Sequence, residues 1–137
     1  MVIQLNYKSG KPVYLQVVDQ IKSATASGAL RPGEPLPSIR PLAEQLRINR
    51  NTVSKAYAEL ESQGIIETIA GKGCFVSEGN SPFKRQVREN LLAADIDAAI
   101  VQAHNLQVSD ADFLAMVKER LKAFADQNKS NDEARNL

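Results

Sequence analysis

Two short segments with helical periodicity, separated by only about three residues, constrain the fold of this chain more than any other feature. Residues 31–37 contain three prolines and cannot be helical, because proline removes a backbone donor and fixes φ. Apolar residues then recur at helical spacing over residues 38–46, and again from about residue 49 to a stop at Gly64. Two short helices joined by a tight turn form a helix-turn-helix.

A β-hairpin is predicted directly after the second of these helices. Residues 65–69 are interpreted as a strand, and residues 74–76 as its return strand. Between them, Gly71 and Gly73 permit the positive φ that a tight turn needs. A hairpin at this place in the chain corresponds to the wing of a winged helix-turn-helix.

A further helix is predicted before the helix-turn-helix. Residues 1–10 alternate weakly and are compatible with either a short strand or an extended arm. Proline is favoured in the first turn of a helix, so Pro12 indicates where this helix begins. Apolar residues at helical spacing continue it to about residue 27, and Gly28 is expected as its left-handed cap.

A linker and two amphipathic helices are predicted for the C-terminal part. Apolar residues recur at helical spacing beyond the linker, with a break at residues 105–108. Ser109 with Asp112 resembles a capping box for the second of these helices. The expected fold class is α+β, mainly α, with a winged helix-turn-helix at residues 1–77, a linker at 78–82, a short two-helix dimerisation segment at 83–127 and a polar, frayed tail at 128–137.

The two C-terminal helices are expected to pair with a second copy of the chain. Each has a wide apolar face, and two isolated helices cannot bury both faces against each other alone. Pairing with a second copy would form a small bundle, whereas the alternative is a monomer whose helices fold back on the winged domain. The residues expected at this homodimer interface are Val87, Leu91, Ala98, Val101, Leu114, Val117, Leu121 and Phe124.

Positive charge is concentrated in the helix-turn-helix rather than spread over the chain. The net charge of the whole chain is only +1, which gives no indication of a polyanionic partner. Residues 38–55, in contrast, contain four basic residues against one acidic residue, whereas residues 81–137 are slightly acidic. Local positive charge of this kind attracts a protein to phosphate, although a solvated surface would have the same pattern.

The single cysteine and the single histidine exclude several classes of protein. Cys74 cannot form an internal disulfide, and with His104 it leaves too few soft ligands for a transition-metal site. Cys74 is interpreted as a small hydrophobic residue of the wing rather than a redox sensor, and His104 as a residue at a helix end. No catalytic set is found, so neither an enzyme nor a cofactor is expected. Without a leader or an apolar stretch of about 18 residues, the chain is expected to be cytoplasmic and to have no membrane partner.

Polar side chains at the start of the third predicted helix suit the major groove of DNA. Arg50 can bond guanine at two atoms, and Asn49 and Asn51 can do the same with adenine. The alternatives are a plain solvated face, an ion pair of Arg40 with Glu44, and a Gly-Lys-Gly segment that is no more than a turn. The candidate DNA-binding residues are Ser38, Arg40, Asn49, Arg50, Asn51, Thr52, Ser54, Lys55, Gly71 and Lys72.

Several motifs within about residues 10–77 resemble the GntR family of bacterial regulators. The family implies a winged helix-turn-helix dimer on a pseudo-palindromic operator, with Arg40, Arg50, Thr52 and Gly71 at positions that match the family's functional residues. The matching motifs are Leu36-Pro37-Ser38-Ile39-Arg40, Leu42-Ala43, Leu46, Asn49-Arg50-Asn51-Thr52-Val53, Tyr57, Leu60, Gly64-Ile65-Ile66 and Gly71-Lys72-Gly73-Cys74-Phe75-Val76.

Two positions and the C-terminal length distinguish the chain within that family. Many members have Glu where this chain has Ile39, and the Ser-Ile-Arg run here resembles another branch. Many also have Arg where it has Ser54, so their operator sequences are not transferred to it. About 55 residues follow the predicted linker, which is too short for the large effector-binding domains of most branches. The segment resembles the short YtrA-type branch, which implies helices that dimerise and frequent control of transporter operons; the resemblance names no small-molecule effector.

Three functions are compatible with these features. The leading hypothesis is a repressor that occludes a promoter as a dimer, with half-sites about 10 bp or a multiple of it apart. The second is an architectural DNA binder with little sequence preference and a steep salt dependence. The third is a protein-interaction module on a winged fold, against which the local positive charge argues.

Overall fold

The computed structural model describes residues 2–79 and 82–136, and the side chains of all of these except 82–84. Of the linker predicted at 78–82, residues 80 and 81 lie outside the described residues, and Pro82 belongs to a helix. The chain divides into two compact units, Met1–Asn80 and Ser81–Leu137. In chain order the elements are α1 (Val13–Ala26), α2 (Ile39–Leu46), α3 (Arg50–Ser62), β1 (Ile66–Ile69), β2 (Gly73–Val76), α4 (Pro82–Asn105) and α5 (Asp110–Arg135).

The core of the first unit lies where α1 and α2 pack against α3, with β1 at the end of α3. The apolar stripe of each helix turns inward, which is the arrangement that helical periodicity predicts. The predicted α+β, mainly α class is confirmed, with a winged helix-turn-helix followed by helices. The side chains most completely removed from solvent are Val17, Val18, Ile21, Leu42, Val53, Leu60 and Ile66.

The N-terminal residues form an extended arm and not a strand. Two glutamines one turn apart on α1 hold it, because their amides offer both a donor and an acceptor to the arm backbone. The Asn6 N–H donates to the Gln16 Oε1 at 2.8 Å, and the Gln4 N–H donates to the Gln20 Oε1 at 2.7 Å. Gln16 also donates to the carbonyls of Asn6 and Lys11 at 3.0 and 2.9 Å, so its buried amide is satisfied.

The three helices of the first unit begin in different ways. Pro12 is the N-cap of α1 and not its first residue. Asn49 is the N-cap of α3, and its side chain accepts from the Asn51 N–H at 2.7 Å. A serine immediately before a helix predicts a hydroxyl cap, but Ser38, the N-cap of α2, makes no side-chain cap hydrogen bond. One of the two N–H groups that such a hydroxyl can accept from is missing, because the third helical residue is Pro41.

The hairpin has a third, partial strand that the sequence analysis missed. β1 and β2 pair antiparallel, and each predicted strand is shifted by one residue at its first position. The segment 33–36 runs along the other edge of β2. Gly33 N–H donates to the carbonyl of Val76 at 2.8 Å, and Leu36 N–H donates to the carbonyl of Cys74 at 2.9 Å. The proline-rich segment therefore supports the base of the wing.

The second unit consists of two long helices whose apolar residues face solvent. Within the described residues, α4 does not pack along α5, and no residue of α5 is buried. The serine half of the predicted capping box of α5 is confirmed, since the Ser109 Oγ accepts from the Asp112 N–H at 3.2 Å. The polar tail predicted from residue 128 continues α5 as a helix to Arg135. Residues 128–135 contain neither glycine nor proline, so nothing in that segment ends the helix.

Candidate nucleic-acid interface

The third helix separates an inward apolar face from an outward polar face. Val53, Ala56, Tyr57 and Leu60 are buried, as their helical spacing predicts. Most of the predicted site residues of α3 lie on the opposite face and are exposed to solvent. Thr52 is the exception and is half-buried. The exposed ones are Arg50, Asn51, Ser54 and Lys55.

A buried tyrosine ties this helix to the segment before α2. The Tyr57 hydroxyl donates to the carbonyl of Pro37 at 2.7 Å, and the ring is only 4% exposed. Burial raises the pKa of Tyr57 well above its ordinary value of 10.0, and the neighbouring Cys74 raises it further. The phenol is therefore a neutral donor at physiological pH. Because Pro37 immediately precedes Ser38, this bond fixes the start of α2 relative to α3.

Asn49 is partly committed to its own helix. Its Oδ1 accepts from the Asn51 N–H, so the side-chain carbonyl has a structural role. The Nδ2 amide takes no part in the cap hydrogen bond, and the side chain is exposed. Bidentate contact with adenine needs both atoms of an amide, so of the two asparagines Asn51 is the one with both atoms uncommitted.

Arg40 makes the ion pair that the sequence left as an alternative. Its Nε lies 3.6 Å from the Glu44 Oε1, one turn along α2, and the side chains are 69% and 73% exposed. A pair this exposed contributes little to stability and is easily exchanged for another anion. Arg40 is thus accessible beside the Ser38 hydroxyl, at the end of α2 where backbone N–H groups point outward.

Lys55 contacts an aromatic ring of α1. Its Nζ lies 4.2 Å from the centroid of the Tyr14 ring, within the distance at which a ring attracts a cation. Tyr14 itself is half-buried and packs against the core. The ring therefore restricts a side chain that would otherwise be free on the surface of α3. Sequence spacing gave no signal for this contact, because the two residues lie in different elements.

The wing has its cation at the tip. Gly71 and Gly73 have φ of +77° and +110°, conformations that side chains with a Cβ rarely adopt. A Cβ at either position would meet nothing within 4 Å, so backbone conformation and not crowding requires glycine. Lys72 is exposed between them, and its N–H donates to the carbonyl of Ile69 at 2.9 Å to close the turn.

The remaining predicted features have simple surroundings. Cys74 is half-buried, packs against the core and lies 3.5 Å from the Thr68 Oγ1, as expected for a small apolar residue of the wing. His104 lies in the last turn of α4. No cluster of potential metal ligands occurs in the described parts of the chain. None of its described helices is both long and apolar enough to cross a membrane.

The fold and this surface define a winged helix-turn-helix protein of the kind that binds DNA. Residues 13–76 match the family model described as "Bacterial regulatory proteins, gntR family". The chain is 36% identical to the HTH-type transcriptional repressor YtrA of Bacillus subtilis (strain 168), over 96% of this chain and 100% of that protein. It belongs to the GntR family of transcriptional regulators.

Solved structures agree with that assignment. A protein of Listeria monocytogenes EGD-e described as a transcriptional antiterminator superposes with a TM-score of 0.72 and 33% identity, covering 90% of this chain and 92% of the other. YtrA from Sulfolobus acidocaldarius, a GntR-family transcription factor, superposes with a TM-score of 0.64 and 30% identity, covering 88% of this chain and 97% of the other. Both similarities extend beyond the helix-turn-helix into the C-terminal helices, which is consistent with the resemblance to the YtrA-type branch.

Proposed function

We propose that this regulator is a sequence-specific repressor that binds a pseudo-palindromic operator as a homodimer. The observation that carries the proposal is the outward face of α3, where Arg50 and Asn51 are exposed at the start of a helix whose other face is fixed in the core. The major groove admits one α-helix, and arginine and asparagine are the side chains that read guanine and adenine there. In this arrangement Thr52 lies at the edge of the contact, since it is half-buried.

The other proposed contacts hold the sugar–phosphate backbone and orient α3 in the groove. Phosphate contacts fix register without reading sequence, and they come from hydroxyls, cations and backbone N–H groups. Ser38 suits this role because its hydroxyl makes no cap bond, and Lys72 suits it because it projects from a bare wing tip. The full set proposed for the backbone is Ser38, Arg40, Ser54, Lys55, Gly71 and Lys72, with Asn49 contributing its free amide near the bases.

The proposed homodimer depends on the apolar faces of the second unit. Leu114 and Leu121 are 59% and 65% exposed, and Val101 is 60% exposed. Exposed apolar side chains repeated along a helix are unfavourable in water, and a second copy of the same pair of helices would cover them as a bundle. The interface is proposed at Val87, Leu91, Ala98, Val101, Leu114, Val117, Leu121 and Phe124.

A symmetric dimer would place two recognition helices on successive half-sites. The spacing expected is about one helical turn, ~10 bp, or a multiple of it. Occupancy of such a site in a promoter would exclude the polymerase. The family resemblance further suggests an operon for a transporter as the target.

The decisive experiment measures fluorescence anisotropy with two duplexes at about 150 mM salt. One duplex comes from upstream of the protein's own operon, and the other is a scrambled version of it. Arg50→Ala is expected to cost roughly 1–3 kcal/mol on the upstream duplex and much less on the scrambled one. Arg50→Lys is the matched control, because it keeps the charge but loses the planar two-point contact.

Each outcome of this experiment selects one function. A preference of at least ~10³ for the upstream duplex, clearly reduced in both Arg50 variants, supports sequence-specific regulation. Equal binding of both duplexes by the wild-type protein would instead indicate an architectural DNA binder. Absence of binding to either duplex, even at low salt, would refute DNA recognition by this surface.

A further inference from the structure

The turn between α2 and α3 has an arginine where a glycine would be conformationally easier. Arg47 ends α2 with φ 55° and ψ 46°, in the left-handed region. An L-residue with a Cβ is disfavoured there, and glycine or asparagine usually occupies such helix ends. Its N–H donates to the carbonyl of Glu44, and the next N–H, of Ile48, donates to the carbonyl of Ala43 at 3.0 Å. These two hydrogen bonds close the turn and fix the backbone position from which the Arg47 side chain extends.

The side chain at this point is uncommitted. Arg47 is exposed, and within residues 2–79 no acidic side chain or acceptor pairs with its guanidinium. The nearest carboxylate along α2, that of Glu44, pairs instead with Arg40. A residue kept in a disfavoured conformation, with a side chain that stabilises nothing in the fold, indicates a role outside the fold.

The surroundings of Arg47 indicate what that role is. A surface depression of about 600 Å³ is lined by Arg47 together with Asn49, Arg50 and Asn51, the start of α3. The same depression includes Glu44, so its walls have two guanidinium groups against one carboxylate. Phosphate, like a carboxylate, is an anion that a guanidinium can bind with two parallel hydrogen bonds, and it is the anion that DNA presents. Arg47 precedes α3 along the chain. When the start of α3 lies in the groove, Arg47 therefore lies toward the groove wall, which is formed by the sugar–phosphate backbone.

We propose that Arg47 binds a phosphate of the DNA backbone beside the groove that α3 reads. The inference rests on the proposed function, because it needs α3 to enter the groove. The two proposed contacts differ in chemistry, because Arg50 distinguishes one sequence from another, whereas Arg47 strengthens binding to any duplex.

Three substitutions separate the charge of Arg47 from its backbone conformation. Arg47→Lys keeps the charge in the same backbone, Arg47→Gln removes the charge and keeps the backbone, and Arg47→Gly removes the charge and relieves the left-handed conformation. Affinity for the upstream duplex and for its scrambled version is measured by anisotropy between about 50 and 300 mM salt. The Tm of each variant is measured in parallel.

The expected result is that affinity follows charge and stability follows the backbone. Arg47→Gln and Arg47→Gly should weaken binding to both duplexes by the same factor, roughly fivefold per bound copy near 150 mM salt, and lower the salt slope by about 0.9 per copy. Arg47→Lys should retain most of the affinity. The Tm of Arg47→Gly should equal or exceed that of the wild type, so its loss of binding cannot be attributed to unfolding.

Two results would overturn the inference while leaving the proposed function in place. One is wild-type affinity and salt slope in Arg47→Gln. The other is a loss confined to the upstream duplex, which would make Arg47 a base-reading residue. If the wild-type protein bound neither duplex at the lowest salt, the proposed function would be refuted, and the inference about Arg47 with it.

Discussion

The Tyr57 hydroxyl donates a 2.7 Å hydrogen bond to the carbonyl of Pro37, across 20 residues of sequence. One residue belongs to the buried stripe of α3, and the other to the segment that leads into α2. This bond joins the surface proposed to read bases to the helix start proposed to hold phosphate. A change at Tyr57 should therefore affect both stability and DNA binding.

Tyr57→Phe should destabilise the protein by about 0.5–1.5 kcal/mol, because it removes the donor and leaves the Pro37 carbonyl unpaired in a partly buried site. DNA affinity should also fall, since the start of α2 is less firmly held. Urea unfolding and anisotropy measure the two effects. Tyr7→Phe is the matched control, because Tyr7 is 68% exposed. Equal stability of the two variants would contradict the structural role of the bond.

The same tyrosine should determine how stability changes at alkaline pH. Burial, with a smaller contribution from Cys74, raises the pKa of Tyr57 above the value of 10.0 that applies in the unfolded chain. The folded state thus retains the phenolic proton longer than the unfolded state. The stabilisation is complete below pH 10 and is lost as pH rises from there towards the folded-state pKa. The free energy of unfolding, measured from pH 8 to 11, should decline less steeply above pH 10 in Tyr57→Phe than in the wild type.

Alanine substitution of the two N-cap residues of the helix-turn-helix should lower different properties, stability at Asn49 and DNA affinity at Ser38. Asn49→Ala removes a 2.7 Å cap bond and should cost about 1 kcal/mol of stability, whereas Ser38→Ala removes no cap bond. Ser38→Ala should instead weaken DNA binding with little change in Tm. Asn49→Asp is a useful control, because aspartate caps a helix as well as asparagine does. A large loss of stability in Ser38→Ala would show that its hydroxyl caps α2 after all.

The ring of Tyr14 should matter to DNA binding through Lys55. An exposed cation–π contact contributes about 0.5–1 kcal/mol, so Tyr14→Leu should lower affinity roughly two- to fivefold if the ring holds Lys55 ready for phosphate. Tyr14→Phe keeps the ring and should bind as the wild type does. Anisotropy with both single variants and with Tyr14→Leu/Lys55→Ala gives the coupling. Additive losses in the double variant would mean that Tyr14 acts independently of Lys55.

Local signals in the sequence were sufficient for most elements of the fold. Gly28 and Gly64 end α1 and α3 with φ of +80° and +72°, as expected of left-handed caps. The apolar stripe of α3 and the glycines of the wing turn were also predicted, because periodicity and turn chemistry depend only on nearby residues. Most features that the sequence did not settle have partners distant in sequence; the missing Ser38 cap bond and the helical residues 128–135 are local exceptions.

The features that depend on distant partners share one physical origin. The pairing of segment 33–36 with β2 depends on residues 40 positions away, and the arm conformation depends on glutamines of α1. At the interface, the residue types on α3 were predictable, but the contacts of Tyr14 and Tyr57 were not, because they connect different elements. The conformation of Arg47 gave no sequence signal, since arginine is not a residue typical of the left-handed region. Tertiary contacts decide the third strand, the arm and the two tyrosine contacts, whereas the turn at Arg47 is closed locally by the N–H groups of Arg47 and Ile48.

The apolar faces of α4 and α5 provide the test of the proposed dimer. Leu121 and Leu106 are equally exposed, at 65%, but only Leu121 lies on the face proposed to meet the second copy. Leu121→Asp should place a charge in that interface and shift the protein towards monomer in sedimentation equilibrium, because an unpaired buried carboxylate is strongly unfavourable. Leu106→Asp should leave the sedimentation-equilibrium mass at that of the dimer. A monomeric Leu121→Asp should also bind a single half-site with the wild-type protomer's contacts but lose the avidity of the full operator. A wild-type protein that is monomeric at micromolar concentration would refute the proposed dimer, and a Leu121→Asp variant that stays dimeric would place the interface elsewhere.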